Sequence, residues 1–324
     1  MHIFVTGGTG FFGKALLRHW SSGAEPELAG ARFTLLSRDP QRFVQHHADL
    51  IGAGLDVRFH RGDIQHADSL PDDASFTHIL HAATDSTSGL SLTPLARYDQ
   101  IVEGTRHVLE LARRVGVRRV LLTSSGGVYG PPPAGLEAIP ETWNGMADPL
   151  EPQNAYSVAK RQAEHLGALY RDAFGIDTVV ARCFAFVGED LPLDAHFAIG
   201  NFMHDALAGV PITVQGDGSP IRSYLDQRDL ARWLTVLLLR GQGQRAYNVG
   251  SDRPVSIADL ARLVGRLAKP GVEVRILGRA VEGQAAKRNV YLPDISRARA
   301  ELGLDVEIPL ADAIAHVLAR RAAS

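Results

Sequence analysis

Short apolar runs alternate with longer stretches in which apolar residues recur every three or four positions, and this alternation holds for the first 180 residues. The short runs read as strands near 2–6, 32–37, 56–60, 77–82, 117–123 and 176–182. Between them the helical period predicts helices near 11–21, 39–51, 94–115 and 155–174. The third of these carries both a start and a stop signal. Thr93-Pro94 supplies a capping hydroxyl followed by proline in the first turn, and Gly116 follows the last turn. Strand and helix in strict alternation is the pattern of a parallel sheet, and right-handed crossovers put helices on both of its faces. The expected fold class is therefore α/β, a doubly wound parallel sheet.

After about residue 183 the alternation fails. Pro192, Pro211, Pro220 and the loop Gln215-Gly216-Asp217-Gly218 interrupt it, and helices near 228–239, 256–268 and 309–321 follow. The expected organisation is a first domain of residues 1–182 plus about 225–250, and a smaller C-terminal α/β substrate lobe of 183–224 plus about 251–324. No low-complexity linker or internal repeat separates them, so a ligand is expected in the cleft between the lobes. The run Trp233–Leu239 is far shorter than the roughly 20 residues of a membrane-spanning helix and reads as a buried helix.

Bulk chemistry narrows the function classes by exclusion. A formal charge of -2 and a pI near 6.7 give no electrostatic reason to expect nucleic acid or an anionic membrane as partner. The pairs Arg113-Arg114 and Arg118-Arg119 read as solvated surface. A single cysteine, Cys183, excludes an internal disulfide and a cysteine zinc cluster and fits a reducing, cytoplasmic setting. Met1 leads straight into Ile3-Phe4-Val5 and glycines, without the charged and apolar regions of a signal peptide. The thirteen histidines show no ligand spacing, so no metal is expected.

Two local patterns carry chemistry. Gly7, Gly10 and Gly13, with Phe11 and Phe12 between the last two, lie directly after the first strand and at the mouth of the first helix. There, glycines let the backbone approach a pyrophosphate and the helix N-terminus supplies free N–H groups, so the first domain is read as dinucleotide-binding, of the Rossmann type. At the end of the second strand a carboxylate would hold a free ribose 2'-hydroxyl and repel a 2'-phosphate. The chain has Ser37 there, 24 residues after Gly13, followed by Arg38, which favours NADP(H) over NAD. The alternative is a surface Arg38 with Asp39 serving the ribose of NAD.

Tyr156 and Lys160 stand four residues apart, on one face of the predicted 155–174 helix. A lysine ammonium beside a tyrosine stabilises the phenolate and can draw its pKa down from about 10, which suits proton exchange with an alcohol or ketone. Ser125, at the carboxyl end of the apolar strand 117–123, is placed to polarise a carbonyl beside them.

These residues, with Gly62-Asp63-Ile64, His81-Ala82-Ala83, Ser124-Ser125-Gly126-Gly127-Val128-Tyr129-Gly130, Arg182 with Phe184, Arg222-Ser223-Tyr224-Leu225 and Tyr247-Asn248-Val249-Gly250, make a chain that resembles the extended short-chain dehydrogenase/reductase family along nearly its whole length. That family comprises nucleotide-sugar epimerases, dehydratases and ketoreductases. The resemblance implies that Asp63 and Ile64 border the adenine, that His81, Ala82 and Ala83 line the cofactor channel, that Lys160 reaches the nicotinamide ribose, and that Ser125 bonds the reacting sugar oxygen. It implies a nucleotide-sugar substrate, with Arg222 on its diphosphate; the alternative for Arg222 is a salt bridge to Asp226 or Asp229. Phe197, Gln215 and Arg288 are further candidates for substrate contact in the C-terminal lobe. Related enzymes pair the helices at 94–115 and 155–174 into a homodimer, and Val102, Val108, Leu109, Leu111, Leu166 and Leu169 put apolar residues on more than one face of these helices. Burial within one chain is the alternative.

Departures from the pattern narrow the activity. Where dehydratases of the family carry an acid pair after the catalytic hydroxyl, this chain has Gly126 and Gly127, which can act neither as acid nor as base. Ile101 and Ala185 stand where the family often has asparagine. The leading expectation is NADPH-dependent reduction of a nucleotide-linked 4-keto sugar. The second is a 4-epimerase using the same residues; a 4,6-dehydratase or a non-catalytic cofactor binder ranks lower.

Overall fold

The computed structural model describes residues 1–51, 54–84, 92–133, 135–193, 197–268, 272–278 and 289–322. In chain order its elements are β1 (His2–Thr6), α1 (Phe11–Ser21), β2 (Arg32–Ser37), α2 (Pro40–His46), α3 (Ala48–Ile51), β3 (Asp56–Arg61), β4 (His78–His81), α4 (Pro94–Val115), β5 (Arg119–Ser125), α5 (Ala155–Phe174) and β6 (Asp177–Cys183). There follow β7 (Phe186–Val187), α6 (Ala198–Ala208), β8 (Ile212–Val214), β9 (Ile221–Arg222), β10 (Leu225–Asp226), α7 (Gln227–Arg240), β11 (Arg245–Val249), β12 (Val255–Ser256), α8 (Ile257–Ala268), β13 (Val274–Ile276), α9 (Ser296–Leu302) and α10 (Leu310–Ala322). Two compact units divide the chain: Met1–Gly130, Asn144–Cys183 and Ala231–Tyr247 form one, Pro131–Trp143, Phe184–Leu230 and Asn248–Ser324 the other.

The first unit is built on the seven-stranded sheet β11-β6-β5-β4-β1-β2-β3. Pairing is parallel from β6 to β3, as the alternation predicted. Strands covered on both faces bury every residue, which is why β1 and most of β5 read as continuous apolar runs. Phe4, Ile79, Val120, Val108, Leu111 and Leu166 form the packed layer between the sheet and α4 and α5. The chain steps outward through β2 and β3 and then returns to β4 on the other side of β1. This reversal opens a crevice at the carboxyl ends of β1 and β4, where open α/β sheets take ligands.

Three local expectations are corrected. The single helix expected over 39–51 is two, because His47 leaves the helical region at φ -138 and ψ 41. Arg119 is not solvated surface: it pairs with Asp177 at 2.7 Å and donates to the carbonyls of Leu237, Leu238 and Gly241 at the end of α7, where a cation meets the negative end of the helix. Residues 131–143, assigned to the first domain from sequence, belong to the second unit. There the Ile139 N–H donates to Leu292 O at 2.8 Å, and the Asn248 amide donates to Ile139 O and Asp294 O at 2.8 and 2.9 Å.

Among the described residues the second unit holds three two-stranded pairs, β7 with β10, β9 with β12 and β8 with β13. Ile199, Met203, Ile212, Leu260, Val264 and Ile314 are all at most 1% exposed and make its core among α6, α8 and α10.

Candidate active site

The turn after β1 is made for close approach. Gly7 has φ +73, and a Cβ there would lie 2.5 Å from Ala82 O at the end of β4. At Gly13 a side chain would collide with the Gly8 backbone, so α1 begins tight against the turn. Gly10 caps α1 without a side-chain hydrogen bond, which leaves the positive helix end to a ligand anion. Phe11 and Phe12 open the helix with their rings 5.8 Å apart. This cradle, which any Cβ would fill, fits a dinucleotide pyrophosphate.

His81 pins the neighbouring strand end. Thr105 donates to Ile101 O at 2.7 Å, so at 3.2 Å it accepts from His81 Nε2–H. Nδ1 then accepts from the Thr6 hydroxyl at 2.7 Å, and Thr6 Oγ1 accepts the Ala83 N–H at 3.2 Å. Burial, with Lys160 nearby, drives the His81 pKa down to about 3, so the ring is neutral and holds Ala82 and Ala83 in place.

Ser125 ends β5, and its Oγ accepts the Gly127 N–H at 3.0 Å, leaving its proton to donate. Tyr156 and Lys160 follow on the first turns of α5, and the Ser125 hydroxyl lies within reach of Tyr156. Lys160, only 4% exposed, donates to Thr84 Oγ1 at 2.7 Å and to Thr123 O at 2.8 Å. Burial lowers its pKa to about 8, opposed by Cys183 and Glu164. The lowered tyrosine pKa expected from sequence is not found. Burial pushes Tyr156 up to about 12 against the pull of Ser125 and Arg97, because Lys160 is bound to Thr84 and Thr123 and sits 5.9 Å from the centre of the tyrosine ring. Tyr156 is thus a phenol in the resting site.

Glu164 continues the same helix face. Its carboxylate accepts from Ser124 at 2.5 Å and from Arg182 at 2.7 and 3.0 Å, and Arg182 also lies over the Tyr129 ring. The strand end carrying Ser125 is therefore tied to the helix carrying Tyr156.

At the outer rim, Ser37 is buried and accepts the Asp39 N–H at 3.2 Å, while Asp39 Oδ1 caps α2 through the Arg42 N–H. Arg38 is exposed and lines a cavity of about 400 Å³ with Arg61, Gly62, Asp63, His66 and Ser69. Ile64 is buried under α4.

In the second unit Phe197 is half-buried at the start of α6 and Gln215 is exposed after β8. Arg222 donates to Ile221 O and Asn289 O at 2.8 and 2.7 Å and makes no ion pair with Asp226 or Asp229. Asp226 instead pairs with Arg228, and Asp229 accepts from the Glu307 and Ile308 N–H groups. Arg288 lies outside the described residues. Sequence reading missed Thr84, Arg61 and Glu164; only Glu164 carried a local signal, four residues beyond Lys160 on the same face.

A parallel sheet with this switch point, a glycine cradle and a Ser-Tyr-Lys group defines a dinucleotide-dependent oxidoreductase-type enzyme. Residues 3–250 match the NAD dependent epimerase/dehydratase family, and the chain belongs to it. Among curated relatives, it is similar to UDP-glucuronic acid decarboxylase 3 of Arabidopsis thaliana, with 28% identity over 317 residues, 97% of this chain and 87% of that protein. Among solved structures, its fold is similar to UDP-glucose 4-epimerase of Thermotoga maritima, solved with UDP-glucose, at TM-score 0.80 and 20% identity over 100% of both chains. It is also similar to RMD of Pseudomonas aeruginosa, complexed with NADPH, at TM-score 0.78 and 24% identity over 99% of both chains. Among the described residues no helix is long and apolar enough to cross a membrane, and no group of acids, histidines and cysteine could hold a metal.

Proposed function

We propose that the chain catalyses NADP(H)-dependent reduction at C4 of a nucleotide-linked 4-keto sugar. The observation that carries the reading is a Ser125-Tyr156-Lys160 group in which the two positions after the serine, 126 and 127, are glycines and supply neither acid nor base. Gly126 and Gly127 put no side chain next to the catalytic hydroxyls, and the Ser157 hydroxyl packs into the space that a Cβ on Gly127 would take, 2.7 Å from it. Elimination of water needs an acid or base, and so does protonation of the carbon left when a 4-keto uronate loses CO₂. Reduction needs neither.

When bound, the cofactor supplies the hydride to C4. Ser125 orients the carbonyl oxygen with its free proton, and Tyr156, held as a phenol by its raised pKa of about 12, gives that oxygen a proton. Lys160, fixed by Thr84 and Thr123 and cationic below its pKa of about 8, holds the nicotinamide ribose on the same helix face, and solvent restores the proton to Tyr156. Arg222 binds the substrate diphosphate, with Phe197, Gln215 and Arg288 as further contacts. Asp63 and Ile64 border the adenine, and Ser37 with Arg38 select the 2'-phosphate over the NAD ribose.

The second reading, a 4-epimerase, draws on the same three residues and on the fold shared with a UDP-glucose 4-epimerase. Incubation with UDP-, dTDP-, CDP- and GDP-linked 4-keto sugars and NADPH separates them. One NADPH oxidised per sugar reduced is expected. Interconversion of 4-hydroxy sugars without net NADPH use makes it an epimerase, and cofactor binding with no turnover on any sugar overturns both.

A cytoplasmic homodimer through α4 and α5 completes the proposal, on a smaller surface than the sequence suggested. Val108, Leu109, Leu111 and Leu166 are at most 2% exposed within the first unit, whereas Leu95 and Leu169 are 70% and 48% exposed. Sedimentation at micromolar concentration tests it, a 35.0 kDa species counting against pairing.

A further inference from the structure

We propose that Arg61 and Arg38 together form a two-guanidinium clamp for the ribose 2'-phosphate of the cofactor, which makes Arg61 a determinant of cofactor choice. The inference rests on the NADP(H) reading and deepens it by naming a second residue, drawn from a different strand.

Arg61 ends β3 directly opposite Ser37 in the β2–β3 register, and the Gly62 N–H donates to Ser37 O at 3.0 Å. The residue after Ser37 is Arg38, so the two arginines occupy adjoining strand ends and line the same cavity of about 400 Å³. Both are exposed, and neither has a hydrogen-bond or ion-pair partner among the described residues.

The opposite ends of the same strands behave differently. There Arg32 and Arg58 both pair with Asp56, at 3.1 and 3.5 Å. The two acids nearest in sequence to the cavity arginines are turned to their own backbone, Asp39 Oδ1 accepting the Arg42 N–H at 3.1 Å and Asp63 Oδ1 the Gln65 N–H at 3.0 Å. Ser69 Oγ is taken up by the Asp63 N–H and the His66 carbonyl. The cavity therefore presents two guanidiniums without an ion-pair partner among the described residues, beside one carboxylate, Asp63, that accepts the Gln65 N–H.

A phosphate monoester carries a charge of about -1.5 to -2 at pH 7. One guanidinium neutralises half of that, and two planar forks converging on one phosphate match both its charge and its three oxygens. NADH has only a hydroxyl at this position and gains nothing from the second arginine.

The test is equilibrium binding of NADPH, NADH, adenosine 2',5'-bisphosphate, AMP and inorganic phosphate to the wild-type chain, Arg38→Ala, Arg61→Ala, Arg61→Gln and the double variant. Both Arg61 variants should lose about tenfold or more in affinity for NADPH and for the bisphosphate, with NADH and AMP changed less than about twofold. The affinity of NADPH should fall less steeply with added salt once Arg61 is gone. Equal losses for NADPH and NADH, or no loss in either Arg61 variant while Arg38→Ala remains selective, overturn the clamp and leave the NADP(H) reading standing. A wild-type chain with no preference for the 2'-phosphate overturns both. Inorganic phosphate matching the bisphosphate in affinity makes the cavity a free-anion site and overturns the clamp.

Discussion

The inner face of α5 and the outer rim of β2 and β3 handle charge in opposite ways. On α5, Lys160 and Glu164 are buried or nearly so and each is held by other groups: Lys160 by Thr84 and Thr123, Glu164 by Ser124 and Arg182. On the rim, Arg38 and Arg61 are exposed and have no hydrogen-bond or ion-pair partner among the described residues. The difference follows from what each place has to do. Proton transfer needs groups fixed within a fraction of an ångström and pKa values tuned by burial, and an unsatisfied ion could not survive there. Selecting a charged ligand needs only reach and sign, which solvated side chains supply at little cost in stability. Cofactor preference should therefore change without disturbing the chemistry, whereas changes on α5 should disturb chemistry and folding together.

Tyr156→Phe probes the inner face with the largest expected effect. The ring and its packing stay while the proton is lost, so kcat should fall about 100-fold or more with NADPH affinity nearly unchanged. Steady-state rates beside a fluorescence titration of cofactor check it; near-normal turnover would move the proton donor away from α5. Lys160→Met should lower turnover and cofactor affinity together.

Glu164→Gln comes next and asks whether the inner face is one network. The amide keeps an acceptor for Ser124 but leaves the Arg182 guanidinium, in an ion pair whose side chains are 10% and 11% exposed, without its counter-charge. Outright removal of one partner from such a pair costs about 3–5 kcal/mol, so about 2 kcal/mol is expected here, read from urea unfolding. The charge of Glu164 also supports the protonated form of Lys160. Its loss should move the lysine further below its ordinary value and shift the alkaline limb of the pH–rate profile to lower pH. A stability loss with an unchanged profile would make Glu164 a packing group alone.

What the sequence showed and what it hid divide along the same line. Six strands of the sheet were legible because strands covered on both faces are unbroken apolar runs. β11 was not, since Arg245-Ala246-Tyr247-Asn248-Val249 mixes polar residues into a strand whose Asn248 holds Ile139 and Asp294. The strands of the second unit are two or three residues long, too short for an alternating period to register. Tyr156 and Lys160 were legible through their spacing on one helix. Thr84 was not, because it meets Lys160 only through folding, across 76 positions. Arg61 read as the polar end of a half-exposed strand, and only the β2–β3 register brings it beside Arg38. The sign of the Tyr156 shift was misread for a related reason, since spacing puts a lysine near a tyrosine but does not say which oxygens the ammonium prefers.

The smallest effect is a test of whether the neutral ring under the cofactor turn belongs with the buried inner face. In the folded chain His81 has a pKa of about 3, against an ordinary 6.5. Between those values the unfolded chain binds a proton that the folded chain refuses, so stability rises with pH across this window and is lost as pH falls from 6.5 toward 3. Above pH 6.5 the residue adds no slope. One proton corresponds to at most about 1.4 kcal/mol per pH unit. His2, His19 and His78 are also lowered by burial and act in the same direction, so the wild-type slope alone assigns nothing to His81. The difference does. His81→Asn keeps one acceptor and one donor but no titrating ring, and its unfolding free energy, followed by urea titration from pH 7 to pH 4, should show a slope shallower by up to one proton. Equal slopes in the two proteins would mean that the ring takes up its proton in the fold, and that the chain from Thr105 through His81 to Thr6 and Ala83 is not held in one direction.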